Sequence, residues 1–294
     1  MRASGIRTAS LDLLYKVNGS ENHRSNCMDI LSAAGFCLGV CTLLKCRSRR
    51  FLSTFAIKCA SWTGINRGTS QRSANNSLGF MEYPSVSLSN CMAVRTTYLL
   101  LLTTALGGCW LLEQPSGSLL QYFPFYREFL CKLYYAYGGS AVTKVHWWMR
   151  HYSSRTPKRH WAYANSTHVS KLDRGTLTGW KRKSIEEGGA PTAIVYKNKA
   201  GKTCYKGTKA LKKTEEYTVR FGFAIVDLFE SLVSTARGVP LPSALPPALE
   251  TFQLMEDEPG ELSFGNLKDA FNYLRKGKYL VIPHTWRPFI PKEL

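Results

Sequence analysis

An uncharged apolar run, TTYLLLLTTALGGCWLL over residues 96–112, constrains the fold of this chain more than any other segment. Its length is at the short limit for a membrane-spanning helix, and its four threonines and two glycines lower its hydrophobicity. Because Gly107 and Gly108 divide the run, we expect a buried helix that passes into a buried strand. One transmembrane helix over 96–112 is the alternative that this segment leaves open.

Helical and extended patterns alternate along most of the chain. The predicted strands are 51–62 and 109–113, the predicted helices are 93–106, 118–137 and 221–236, and residues 144–166 and 192–208 each predict two strands joined by a loop. Alternating elements with apolar strands are typical of α/β proteins. We therefore expect a partial Rossmann-like, methyltransferase-like α/β fold with a mostly parallel sheet, a basic β-hairpin region and a C-terminal helical tail.

Composition shifts divide the chain into segments. Residues 1–27 read as a loose leader, for which disorder is one interpretation, and residues 28–237 as the α/β domain, which includes the basic hairpin region 190–208. Residues 238–250 are a Pro-rich linker. Residues 251–294 contain a short helical pattern and a Pro-interrupted extended pattern, and we expect this segment to strap onto the domain.

The charge of the chain is high and unevenly distributed. Net charge is +19, and residues 1–185 carry 24 Lys and Arg against 7 Asp and Glu. This excess points to a polyanionic partner, with nucleic acid as the leading candidate. The nine cysteines include no CxxC pair and no zinc-finger spacing, so we expect no metal site and an intracellular, nuclear or cytoplasmic protein, with an organelle or membrane left open.

Cys59 is the candidate nucleophile. It follows the apolar run 51–58 and precedes a polar, glycine-bearing loop that carries Arg67 and Arg72. Nearby cations lower the pKa of a thiol and favour the reactive thiolate. A buried cysteine in front of an ordinary turn explains the same residues without any chemistry.

Glu113 is the candidate acid. It ends the apolar strand CWLL, and Pro115 then stops the ladder of strand hydrogen bonds. An acidic group at the carboxyl end of a buried strand lies where α/β sheets place active groups, and partial burial suits a general acid. A local cap or ion pair is the structural alternative.

A third segment, DILSAAGFCLG, contains the small residues that let a backbone approach a cofactor at the start of a helix. Its candidate cofactor contacts are Asp29, Gly35, Phe36 and Gly39. Close packing of an ordinary helix accounts for the same glycines.

In this order, the three segments resemble the cytosine-5 DNA methyltransferases. The resemblance covers about residues 28–166 and implies that the Asp29 segment binds S-adenosylmethionine, that Cys59 attacks the base and that Glu113 holds it. HYSSRTPKRHWAYANS, over 151–166, is similar to a segment of that family that supports the catalytic loop, and it carries Lys158 and His160. Lys58 stands where the family has proline, so the resemblance implies a degenerate enzyme.

A more specific resemblance covers about residues 28–294. The blocks SWTGINRGTSQRS, EQPSGSLL, TPKRHWAYANS and LTGWK with YKGTKAL resemble a group of uncharacterised proteins common in dinoflagellate genomes. This resemblance implies a shared fold and no particular chemistry.

Residues 144–213 form the most basic region, with 17 Lys and Arg against 3 acidic residues and with interleaved Trp and Tyr. Such a mixture suits phosphate contact and base stacking. The candidate nucleic-acid contacts of the whole chain are Arg67, Arg72, Lys158, His160, Lys197, Lys199 and Lys202. A methyltransferase-like nucleic-acid-binding protein is the leading hypothesis, and a non-catalytic interaction protein or a small membrane protein is the alternative.

Overall fold

The computed structural model describes residues 5–13, 27–46, 50–178, 193–201, 203–207 and 216–238. Its helices are α1 (Ala33–Leu44), α2 (Arg67–Ser70), α3 (Pro84–Ala105), α4 (Pro124–Tyr137) and α5 (Val219–Ser234). Its strands are β1 (Leu52–Phe55), β2 (Cys109–Pro115), β3 (Thr143–Trp148), β4 (Arg159–Ala164), β5 (Ala193–Lys197) and β6 (Thr203–Gly207). The predicted strap 251–294, the linker beyond Gly238 and Lys202 lie outside the described residues.

Four strands form the central sheet in the order β1-β2-β4-β3. β1 pairs with β2 in parallel, whereas β4 is antiparallel to both β2 and β3. The expected mostly parallel sheet is therefore wrong: the sheet is mixed. β3 and β4 come from one strand–loop–strand segment, and β4 returns between β2 and β3, so β1, β2 and β3 still run in the same direction.

The apolar run 96–112 does not form one helix. α3 ends at Ala105, Gly107 takes a positive φ of 72°, and β2 starts at Cys109. Gly108 has no room for a side chain, because a Cβ there would lie 2.2 Å from the Phe51 ring. Among the described residues, no helix has the length and apolar character needed to cross a membrane.

Alternate side chains of β2 belong to two separate cores. Trp110 and Leu112 pack in the core that includes α3 and α4. Cys109 and Leu111 pack in the core on the other face, where α5 contributes Phe221. This alternation follows from the period of two in a strand and gives three layers, with the sheet in the middle.

The leader is not wholly loose. Ala9 and Leu11 pack against the small buried cluster that Cys27, Met28, Ala34 and Leu38 form around the start of α1. Burial of these apolar side chains anchors part of the segment 5–13 to α1, which corrects the expectation for that part of the leader.

Candidate functional site

The carboxyl ends of β1, β2 and β3 meet at one edge of the sheet, because these three strands run in the same direction. We call this the carboxyl edge, and it contains the loop 56–73, the end of β2 and the loop 149–158. In open α/β sheets, ligands bind at this edge. Cys59, in the loop after β1, and Glu113, near the end of β2, both lie at this edge.

Cys59 does not end its strand. β1 stops at Phe55, and Cys59 lies four residues farther on, directly before a 3-10 turn. Its carbonyl oxygen accepts hydrogen bonds from the backbone N–H groups of Trp62 and Thr63, at 2.8 and 3.2 Å. The half-buried side chain is thus held by a tight turn at the carboxyl edge.

Gln114 fixes this loop to β2. Its Nε2 donates to the carbonyl oxygen of Ile57 at 2.8 Å, and its Oε1 accepts from the Ser118 hydroxyl at 2.9 Å. Both side chains are almost fully buried. The bond to Ile57 holds the backbone two residues before Cys59 against β2. The Gln114 side chain points to the face of the sheet opposite to that of Glu113.

Glu113 lies in a buried cluster with His160 and Tyr217. One carboxylate oxygen contacts His160 Nδ1, and the other accepts a hydrogen bond from the Tyr217 hydroxyl. Glu113 is 6% exposed and His160 is 3% exposed. Glu113 and His160 share a face because Pro115 is the register partner of His160, two positions along β2.

Helix α5 brings Tyr217 to the sheet. Thr218 caps the helix: its hydroxyl accepts from the Phe221 N–H and donates to the Tyr152 carbonyl. The Phe221 ring stacks on both Trp147 and Tyr217, with centroids 5.4 Å apart in each pair. The Thr218 cap and the ring stacking together hold Tyr217 in contact with Glu113.

Burial raises the pKa of Tyr217 well above its ordinary value, and the charge of Glu113 and the nearby Cys59 raise it further. Tyr217 is therefore a neutral donor at neutral pH. Glu113 and Cys59 both raise the pKa of Tyr217, so the predicted carboxylate and the predicted thiol interact electrostatically with the same tyrosine.

The remaining imidazole nitrogen, Nε2 of His160, is buried and has no hydrogen-bond partner among the described residues. A carboxylate that orients an imidazole leaves the second nitrogen able to accept a proton. His160 was predicted as a nucleic-acid contact, and its burial against Glu113 and the Trp147 ring contradicts that role.

The Asp29 turn is closed on itself. A Cβ at Gly35 would lie 1.9 Å from the Asp29 carbonyl oxygen, and the Ser32 hydroxyl donates to that oxygen and accepts from the Gly35 N–H. Arg95 of α3 donates to the carbonyl oxygens of Ile30 and Ser32. The chain's own groups thus occupy the start of α1, and these residues do not fit a cofactor.

The two other predicted cofactor contacts serve packing between helices. The Arg95 guanidinium lies 5.4 Å from the centre of the Phe36 ring. A Cβ at Gly39 would be in contact with the Leu99 side chain at 3.5 Å. The glycines that predicted a cofactor loop are therefore explained by the turn before α1 and by the contact of α1 with α3.

Arg72 is fully buried, with 0% of its surface exposed. Its guanidinium lies 3.5 Å from the centre of the Trp62 ring. Its partners are Ser61 Oγ, Asn90 Oδ1 and the carbonyl oxygens of Ser77, Leu78 and Val86. Burial lowers the pKa of Arg72 to about 10, so it is charged at neutral pH. The prediction that Arg72 contacts nucleic acid is wrong.

The other predicted cations are more accessible. Arg67, Lys197 and Lys199 are exposed, and Lys158 is half-buried. The hairpin β5–β6 lies at the same edge, because β6 contacts the turn Gly64–Asn66 that directly precedes Arg67.

The described segments of the carboxyl edge have a strong positive bias. Residues 56–73, 149–159 and 193–207 contain no Asp or Glu. The cations among them that are at least partly exposed are Lys58, Arg67, Arg150, Arg155, Lys158, Arg159, Lys197 and Lys199. The edge is therefore suited to attract an anion.

Within the described segments, no group of three His, Cys, Asp or Glu side chains is arranged to hold a metal ion. Comparisons with models of known families, with curated proteins and with solved structures found no match to this chain. The fold and the site define a mixed α/β protein with a buried Glu–His–Tyr cluster at a basic sheet edge. Sequence reasoning missed Tyr217, and its only local signal is its position before the capping residue Thr218.

Proposed function

We propose that this protein binds nucleic acid through the carboxyl edge of a degenerate methyltransferase-like α/β domain. The observation that carries the proposal is the set of cations on three segments of this edge that contain no acidic residue. A nucleic acid that crosses the edge contacts several of these cations at once. Each contact neutralises a phosphate and releases counterions from the nucleic acid, which favours binding.

The proposal is one of binding without methyl transfer. Glu113 already accepts from Tyr217 and contacts His160, so both carboxylate oxygens are occupied. The turn of Asp29 and Gly35 is filled by its own backbone. A base and a cofactor would each have to displace groups of this chain before any reaction.

Fluorescence anisotropy with labelled 20-nucleotide DNA and RNA tests the proposal. We expect the affinity to fall steeply as salt is added. A plot of the logarithm of the association constant against the logarithm of the salt concentration should have a slope of about −0.7 to −0.9 per phosphate contacted. The triple variant Arg67→Gln, Lys197→Gln and Lys199→Gln should bind on the order of tenfold more weakly and with a shallower slope.

Lys132→Gln is the control variant, because Lys132 is exposed on α4 and pairs only with Glu128 in the described structure. It should leave the affinity and the salt slope unchanged. Equal losses in the control and the triple variant, or binding that ignores salt, would refute the carboxyl edge as the interface.

Calorimetric titration with S-adenosylmethionine tests the second part of the proposal. We expect no binding heat at micromolar to millimolar ligand, because the Gly35 turn leaves no space. A saturable heat that Gly35→Ala abolishes would contradict the closed turn and restore the cofactor hypothesis.

A further inference from the structure

The hairpin β5–β6 exposes both of its faces. Ile194 and Tyr196 point to one face and Val195 and Lys197 to the other, and Ile194, Val195 and Tyr196 are 53%, 59% and 48% exposed. A hairpin of two strands is marginal by itself, and exposed apolar side chains on its surface mark an interaction site. The hairpin therefore has the features of a docking element.

The charge of the hairpin identifies the chemistry of its partner. Residues 192–213 contain seven lysines and no acidic residue. Lys197 and Lys199 are exposed in the described part of this segment. A partner that complements this surface is a polyanion, and the exposed aromatic ring of Tyr196 directly precedes Lys197.

The position of the hairpin extends the basic edge. β6 lies against the turn Gly64–Asn66, whose Ile65 is 44% exposed and which leads into the exposed Arg67. This contact places the hairpin beside the loop, so the exposed side chains of both lie at the same edge of the sheet.

We propose that the hairpin binds single-stranded nucleic acid, with a base stacked on Tyr196 at one face and a flanking phosphate on Lys199 in the turn, from which the strand passes to Lys197 on the other face. A duplex keeps its base faces inside the helical stack, so it can use the lysines but not the ring. Bases of a single strand are free to stack on an aromatic side chain. This inference rests on the proposed function, which is binding of nucleic acid, and adds that the protein prefers a single strand to a duplex.

Affinities for a single-stranded 20-mer and for the matching duplex, measured at the same salt concentration, test the inference. The unchanged protein should bind the single strand more tightly. Tyr196→Ala should weaken single-strand binding by about tenfold and leave duplex binding within about twofold, because it removes one stacking platform. Tyr196→Phe keeps the ring and should retain the preference.

Two further variants act as controls for the effect of Tyr196→Ala: one removes a charge, and the other removes an exposed tyrosine outside the hairpin. Lys197→Gln should weaken both strand forms alike and reduce the salt slope by about one. Tyr98→Ala removes a tyrosine that is 56% exposed on α3 and should change neither affinity. The melting temperature of each variant, measured in parallel, should match that of the unchanged protein.

The outcomes distinguish the two proposals. Salt-dependent binding that prefers the duplex, or that Tyr196→Ala leaves unchanged, overturns the single-strand inference and keeps the proposed function. Equal loss of single-strand affinity in Tyr196→Ala and Tyr196→Phe also overturns it, because an aromatic ring at position 196 would then not be enough for tight single-strand binding. Absence of binding to any nucleic acid overturns both.

Discussion

Replacement of Arg72 by methionine should strongly destabilise the protein. Methionine has a similar length and fills the space over Trp62, but it donates no hydrogen bond. Ser61, Asn90 and three backbone carbonyl oxygens around the guanidinium would lose a charged donor. These acceptors belong to the loop 61–78 and to α3, so Arg72 holds the loop after Cys59 against the helix.

The magnitude follows from the number of bonds and from burial. A hydrogen bond to a charged group contributes about 1.5–3 kcal/mol, and the stacking of a desolvated guanidinium on a tryptophan contributes up to about 2 kcal/mol. The bonds are not additive, and burial of the cation offsets part of the gain, as its lowered pKa indicates. We expect Arg72→Met to lower the free energy of unfolding by about 3–5 kcal/mol, which is roughly a 10 °C fall in melting temperature.

Urea unfolding followed by tryptophan fluorescence measures the effect. Arg72→Lys keeps the charge but not the planar fork, so it should lose about half as much stability. Arg67→Met is the matched control: Arg67 is exposed and donates to the Arg72 carbonyl oxygen, so its loss should cost less than about 1 kcal/mol. A loss below about 1 kcal/mol in Arg72→Met, or weaker nucleic-acid binding with full stability, would refute the reasoning.

Two further predictions concern the glycine turn and the buried cluster. Gly35→Ala should destabilise by about 2–3 kcal/mol in urea unfolding because its Cβ meets the Asp29 carbonyl, whereas Gly39→Ala should be neutral or stabilise by up to about 1 kcal/mol as a better helix former; equal effects would contradict the packing explanation. Tyr217→Phe removes the hydrogen bond to Glu113 and should cost about 1–2 kcal/mol at neutral pH. Because the folded protein raises the pKa of Tyr217, the contribution of Tyr217 is present below about pH 10 and is lost as pH rises further, so the difference between the two proteins should shrink in unfolding curves at pH 10–11; a difference that stays constant with pH would contradict a buried neutral tyrosine.

The local elements were largely predictable from the sequence. The hairpin 192–208 and the helix 221–236 correspond to β5–β6 and α5, since turn residues and apolar spacing are local signals. The predicted helix 93–106 is wrong at its start, because α3 begins at Pro84. Residues 84–92 mix three serines and an asparagine with apolar side chains, and Arg72 donates to the Val86 carbonyl oxygen and to Asn90 of this segment.

The candidate site was predictable only in part. That Cys59 and Glu113 lie at one edge followed from two apolar runs that each end in a polar residue. That Glu113 binds Tyr217, 104 residues away in sequence, had no such signal. Arg67 and Arg72 look alike in sequence, yet one is exposed and the other lies between Trp62 and α3.

The sequence by itself determined the alternation of helices and strands, the split of the apolar run at Gly107 and Gly108 and the positive charge of the chain. These properties depend on residues within a few positions of one another or on simple sums over the chain. Only the tertiary structure decided the direction of β4, the burial of Arg72 and His160 and the closure of the Asp29 turn. Each of these depends on which distant segments pack together, because burial decides whether a charged side chain meets solvent or a buried partner.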